Sequence, residues 1–226
     1  MKRHFDEELA DLKEDILDLG SLVELAILNS VNALKNLNRQ QAERMIVKDK
    51  EIDEWELKID EKCLNLLALR QPMAFDLRFI AMAIKIGTDL ERIADLAVDI
   101  AQRVLELADK PLLKPLIDIP KLTIVAQEML RDTLKSFVKQ DVELAKQVIL
   151  RDKEADSLRD LVQTELINDY MIKDVNTISR AIPLLLIARY LERICDHATN
   201  IAEDVIYMVK AKVVKHHPEK LVNNHS

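Results

Sequence analysis

Glycine is almost missing from this chain: there are two in 226 residues, where ordinary usage is about 7%. All-β folds need glycine for hairpin turns and bulges, and nucleotide-binding α/β folds need it in phosphate loops, so the deficit excludes both. Basic charge is also short. The 33 Lys and Arg against 40 Asp and Glu leave a net charge of −7, opposite in sign to a protein that grips a phosphate backbone. The chain carries no local basic patch, so nucleic acid is excluded as a partner. Long apolar runs are missing too. The longest charge-free stretch, residues 25–34, has ten residues and includes two asparagines and a serine, whereas a spanning helix needs about 20 apolar residues. The opening MKRHFDEE puts acids where a secretory signal would place its apolar segment. Cys63 and Cys195 lie far apart, each inside an apolar helical pattern and neither in a CxxC motif. They read as small buried hydrophobes in a reducing compartment. The expectation is a cytoplasmic protein with no direct membrane insertion.

What remains is dominated by Leu, Ala, Ile, Glu, Lys and Asp, the residues of long helices. Leu9, Leu12, Ile16, Leu19, Val23, Ala26, Ser30, Ala33 and Leu37 recur at the 3-4 spacing of one buried stripe, with Gly20 inside it. Asn38 is placed to cap a second helix reaching about Arg70, and Gln71-Pro72 ends it. A third helix follows from about Phe75 to Leu107. Residues 109–120 hold three of the six prolines and read as a linker. Beyond it, Leu122, Ala126, Met129, Thr133 and Phe137 form a fourth stripe. Asp141 caps a fifth helix to about Tyr170, and a sixth runs from about Thr177 to Lys210, with a kink or irregular first turn expected near Pro183. Trp55 and the methionines read as core.

The two halves are alike in sequence. IVKDKEID at 46–53 matches ILRDKEAD at 149–156 in five of eight positions, an offset of 103. LERIADLAVDIA at 90–101 matches LERICDHATNIA at 191–202 in eight of twelve, an offset of 101. The predicted fold is therefore all-α, six long helices forming two tandem three-helix bundles. Its units are 1–108, the linker 109–120, 121–211 and a polar tail 212–226, with a two-residue indel near the second turn of each repeat.

The repeated motifs are acidic at four-residue spacing: Asp49 with Asp53, Glu91 with Asp95 and Asp99, Asp152 with Asp156, and Glu192 with Asp196. Such pairs share a helical face. The spacing alone proves little, since about seven such pairs are expected by chance at this composition. Position adds weight. Asp49 and Asp95 are equidistant from Pro72, as are Asp53 and Glu91. In the second half Asp152 and Asp196 are equidistant from Asp174, as are Asp156 and Glu192. In an antiparallel helix pair these residues meet. Clustered acids repel one another unless cations neutralise them, and all-oxygen donors suit Mg²⁺, Ca²⁺, Mn²⁺ or iron. Two readings stand on the residues alone. One is a metal site. The other is a solvated acidic face with Arg92, Arg193, Lys50 and Lys153 as helical ion-pair partners. No glutamate precedes a histidine by three, which disfavours a ferritin-type oxidase. His197, beside Asp196, has two readings, an extension of the second site or, favoured, the partner of a neighbouring carboxylate. Gly-rich phosphate loops, HExxH and GxSxG are all missing, so no catalytic residue is assigned.

Two three-helix repeats that each carry an E/D-x-x-x-D motif, with QPMAFDLR at 71–78, LERIADLAVDIA at 90–101 and LLLIARYLERICDHATNIAEDVIYMVK at 184–210, resemble the PhoU family of phosphate-signalling regulators. The resemblance covers nearly the whole chain up to about Lys212. It implies a non-enzymatic, cytoplasmic, homodimeric adaptor in phosphate transport and homeostasis, a negative regulator of the phosphate-starvation response. Such an adaptor acts between the ATPase subunit of the Pst phosphate ABC transporter and a membrane sensor histidine kinase. It also implies multinuclear metal clusters, iron above Mg, Mn or Ca. The residues carried over are Asp49, Asp53, Glu91, Asp95 and Asp99 in the first half and Asp152, Asp156, Glu192 and Asp196 in the second, with Asn200 standing where the first motif has Asp99. The rivals are a carboxylate-bridged metalloenzyme in a helical bundle and a chaperone-cofactor-like bundle.

Overall fold

A computed structural model describes residues 2–215; the tail from His216 onward lies outside them. The chain forms α1 (Lys2–Asn36), α2 (Arg39–Arg70), α3 (Phe75–Leu107), α4 (Asp118–Lys139), α5 (Val142–Glu165) and α6 (Ile178–Lys210). A π-helical turn (Leu166–Met171) prolongs α5, and a 3₁₀ turn (Val175–Thr177) leads into α6. No strand occurs among the described residues.

The stripes read from the sequence are the buried faces. Leu12, Ile16, Leu19 and Val23 on α1 and Leu122, Ala126, Met129 and Phe137 on α4 are fully enclosed. Both predicted caps form. The Asn38 side chain accepts from the Gln41 N–H at 3.0 Å, and Asp141 accepts from the Glu143 and Leu144 N–H groups at 3.1 and 3.0 Å. Each satisfies donors that a helix start leaves unpaired. The turns before these caps are also copies of each other. Leu37 (φ 47°) and Gln140 (φ 55°) are left-handed. The next residue's N–H closes each preceding helix at 2.9 Å, Asn38 onto the Ala33 carbonyl and Asp141 onto that of Ser136.

The prolines behave differently from one another. Pro120, read above as linker, is the third residue of α4, where the helix has no intrahelical use for its N–H. Helix α6 continues through Pro183, and the irregularity expected there lies ahead of it, in the 3₁₀ turn. Pro183 cannot donate to the carbonyl one turn back, and that carbonyl, on Ser179, accepts from Lys110 Nζ at 3.2 Å instead.

Helices α1–α3 pack as one three-helix bundle and α4–α6 as another. The bundles join chiefly along α3 and α6, and secondly along α1 and α4. The α3–α6 seam is antiparallel: Arg78 Nε donates to the Met208 carbonyl at 3.1 Å, Lys85 pairs with Asp204, and His197 Nδ1 lies 2.7 Å from Asp89. At the α1–α4 crossing, Gly20 lets the helices close up, since a Cβ there would collide with the Leu134 side chain. The Phe79 and Phe137 rings stack between the bundles at 5.4 Å. By length and composition α1 could cross a bilayer, but half of its most apolar window is buried inside the fold. Two residues assigned to the core depart from it. Met73 is 79% exposed at the α2–α3 turn, and Trp55 is only partly buried, with Lys58 Nζ 3.9 Å above its ring.

Candidate functional site

The carboxylates predicted to meet across each hairpin do act on one another. In the first half, burial pushes the Asp49 carboxyl above its ordinary range, and Asp53 on α2 and Asp95 on α3 push it further. Glu91 is raised by burial and then by Asp95, Glu56 and Asp53, with Arg92 opposing. Burial and Asp95 raise Asp99, against Arg103 and Arg193. Each shift has the same two causes, lost hydration and like charge. Both expected cross-helix pairings, Asp49 with Asp95 and Asp53 with Glu91, appear in these interactions. The nearest basic group is Arg92, 3.4 Å from Glu91 and 3.2 Å from Asp95.

The second half repeats the arrangement. Asp152 is raised by burial, then by Asp156 and Glu192. Asp196 is raised by burial, then by Asp152 and Asp156, with His197 and Arg193 opposing. Glu192 is raised by burial, then by Asp196 and Asp156, against Arg159 and Arg189. Asn200 is half-buried on the same helix.

The halves differ at a residue outside the predicted set. Arg159 on α5 reaches into the second cluster, with Nη2 3.3 Å from Asp156 and 3.5 Å from Glu192, and Nη1 2.8 Å from Asp160. Its repeat counterpart at offset 103 is Glu56. On the facing helix Arg189 likewise stands where the first half has Thr88, whose hydroxyl donates to Glu56 Oε1 at 3.3 Å. The first cluster therefore gains an acid where the second gains two arginines. Aligning the repeats beyond their identical positions would have shown it.

His197, offered as the partner of a carboxylate, turns to Asp89 across the α3–α6 seam. Cys63 and Cys195 are free and buried. Burial and nearby Asp60 push the Cys63 thiol up to about 12, and burial with Asp152, Asp196 and Glu192 raises Cys195 well above its ordinary value. Neither is poised as a thiolate ligand. Among the described residues, no group of three or more His, Cys, Asp or Glu side chains is arranged to hold a metal ion. The first-half donors suit a hard cation by chemistry: all are oxygens, several are partly dehydrated, and their repulsion across the hairpin is offset only on the α3 side, where Arg92 pairs with Glu91 and Asp95. The second-half donors leave less charge for a cation to neutralise, because the Arg159 guanidinium reaches acids on both helices and Asn200 stands where the first half has Asp99.

Comparison with known proteins places this architecture. The family model described as "PhoU domain" matches twice, at residues 16–104 and 119–205. A phosphate-specific transport system accessory protein PhoU homolog from Aquifex aeolicus is 41% identical over 210 residues, which cover 93% of this chain and 95% of that protein. The crystal structure of PhoU from Pseudomonas aeruginosa superposes with a TM-score of 0.87 at 37% identity, covering 92% of this chain and all of that one. The structure of the phosphate transport system regulatory protein PhoU from Streptococcus pneumoniae gives 0.87 at 30% identity, covering 93% and 99%.

Proposed function

The chain belongs to the PhoU family, and on that premise we propose that it regulates phosphate uptake as a non-enzymatic, cytoplasmic adaptor. The observation that carries this is the double match of the family model over both bundles, together with relatives named as accessory proteins of the phosphate-specific transport system that align over 93% of the chain. The adaptor binds the ATPase subunit of the phosphate transporter and a membrane sensor histidine kinase, works as a homodimer, and represses the starvation response when phosphate is plentiful. Its control comes from which partner is bound, and no covalent step is required.

Within this reading Asp49, Asp53, Glu91, Asp95 and Asp99 bind a hard cation, with iron first and Mn, Mg or Ca as alternatives. A bound cation neutralises charges that otherwise push α2 and α3 apart, so binding and local stability rise together. Asp152, Asp156, Glu192, Asp196 and Asn200 are their counterparts in the second half.

Two experiments test this function. Pull-down of the transporter ATPase and the kinase from cells grown with and without phosphate is expected to recover both partners in phosphate-dependent proportion. Recovery of neither rejects the adaptor. Replacing Glu91 and Asp95 together with alanine is expected to abolish metal uptake by the first half. Unchanged metal content by elemental analysis rejects that ligand set.

A further inference from the structure

We propose that Arg159 is the built-in counter-ion of the second acidic cluster and closes it to external cations, so that the chain takes up metal in its first half alone. The inference rests on the metal reading above and narrows it. The duplication supplies an internal control. The two clusters share backbone, spacing and motif, yet the position one turn beyond Asp53 and Asp156 is Glu56 in one repeat and Arg159 in the other.

Three observations carry it. First, the Arg159 guanidinium bridges both helices of its hairpin, within 3.5 Å of Asp156 on α5 and of Glu192 on α6, the two acids that a cation there would join. Second, its remaining contact, 2.8 Å to Asp160, anchors it from a position that is Leu57 in the first repeat. Third, Arg159 Nε is buried with no hydrogen-bond partner. A buried unsatisfied donor costs free energy, and the charge of the surrounding acids offsets that cost. Arg92 is no equivalent, since its ion pairs reach only Glu91 and Asp95 on its own helix. Asn200 for Asp99 removes one more negative charge from the same cluster.

Equilibrium dialysis of the full chain against Mn²⁺, with elemental analysis, tests the idea. Glu91→Ala with Asp95→Ala is expected to abolish Mn²⁺ uptake, because ligand charge sets affinity for hard cations. Glu192→Ala with Asp196→Ala is expected to leave uptake unchanged. Arg159→Glu is expected to add a second site, and Glu56→Arg to remove the first. Independently of metal, in excess chelator Arg159→Gln is expected to lower the Tm and Glu56→Gln to raise it. The pair must move in opposite directions. Loss of Mn²⁺ in the Glu192/Asp196 variant, or Tm shifts of the same sign, overturns the counter-ion assignment and leaves the metal reading intact. No uptake by the wild-type chain overturns the metal reading, and the restriction to one half falls with it.

Discussion

Two carboxylates with opposite surroundings show how single residues set this molecule's response to pH. Burial works to raise Asp15 on α1, but Lys62 and Lys58 on α2 donate to it at 2.5 and 2.9 Å, and the net effect holds its carboxyl below the ordinary range. A carboxylate depressed in the folded state contributes stability that is complete above its unfolded value, near ~3.9, and is lost as pH falls through the folded value. Asp15→Asn is therefore expected to cost about 1–2 kcal/mol at pH 7 and to flatten the loss of stability below about pH 4. Urea unfolding at neutral and acid pH measures both. Asp49 has the opposite sign. Its folded value is raised, so its contribution is complete below the unfolded value and is lost as pH rises through the folded one. In chelator, Asp49→Asn is expected to stabilise the neutral-pH protein by about 0.2–0.5 kcal/mol, the size of a like-charge helical pair, and to change nothing well below the carboxylate range. A loss of stability at pH 7 would contradict the repulsion.

Single helices and their ends were largely legible in the sequence. The stripes, both caps, the Gln71-Pro72 stop and the span of α3 follow from local rules of spacing and hydrogen-bond need. Gly20 shows where such rules stop: its helical cost was readable, but its packing against Leu134 depends on a helix more than 100 positions away. Arg159 was missed for a similar reason. Its importance lies in what it faces, and the motifs that identify the repeats stop short of it. The turns with positive φ were not legible either, because glycine usually marks such backbone and this chain uses Leu37, Gln71, Ala74, Gln140 and Ala211 instead. Gln140→Gly is expected to stabilise by about 0.5–1 kcal/mol, since left-handed backbone costs an L-residue about 1–2 kcal/mol and glycine gives part of that back in unfolded-state freedom. Asp141→Ala, one residue on, is expected to destabilise by about 1 kcal/mol through loss of the cap. Gly20→Val would overpack the α1–α4 crossing at about 1–3 kcal/mol. Chemical denaturation of the three variants checks all of these.

For the whole molecule, the placement of the cysteines makes a useful probe. Cys63 lies in the first bundle and Cys195 in the second, both fully buried, and the bundles share their most extensive interface along α3 and α6. That seam is expected to make unfolding a single event, in which both thiols become reactive at the same urea concentration, together with loss of helical circular dichroism. Two separate thiol transitions would show that the bundles melt independently.

The same seam is lopsided. Lys85 faces Asp204, and Asp89 faces His197, but the repeat-equivalent positions hold Leu186 and Arg103 for the first pair and Tyr190 and Leu96 for the second. A seam built from two copies of α3 would set Lys85 against Arg103 and leave Asp89 against Leu96. One built from two copies of α6 would bury Asp204 against Leu186. Each misjoined product carries a repelling or deserted charge, while the correct one satisfies both. After duplication, with two related helices competing for each other's places, this loss of symmetry gives the nascent chain an address code: it directs α3 to its own α6 and discourages exchange of bundles between neighbouring molecules.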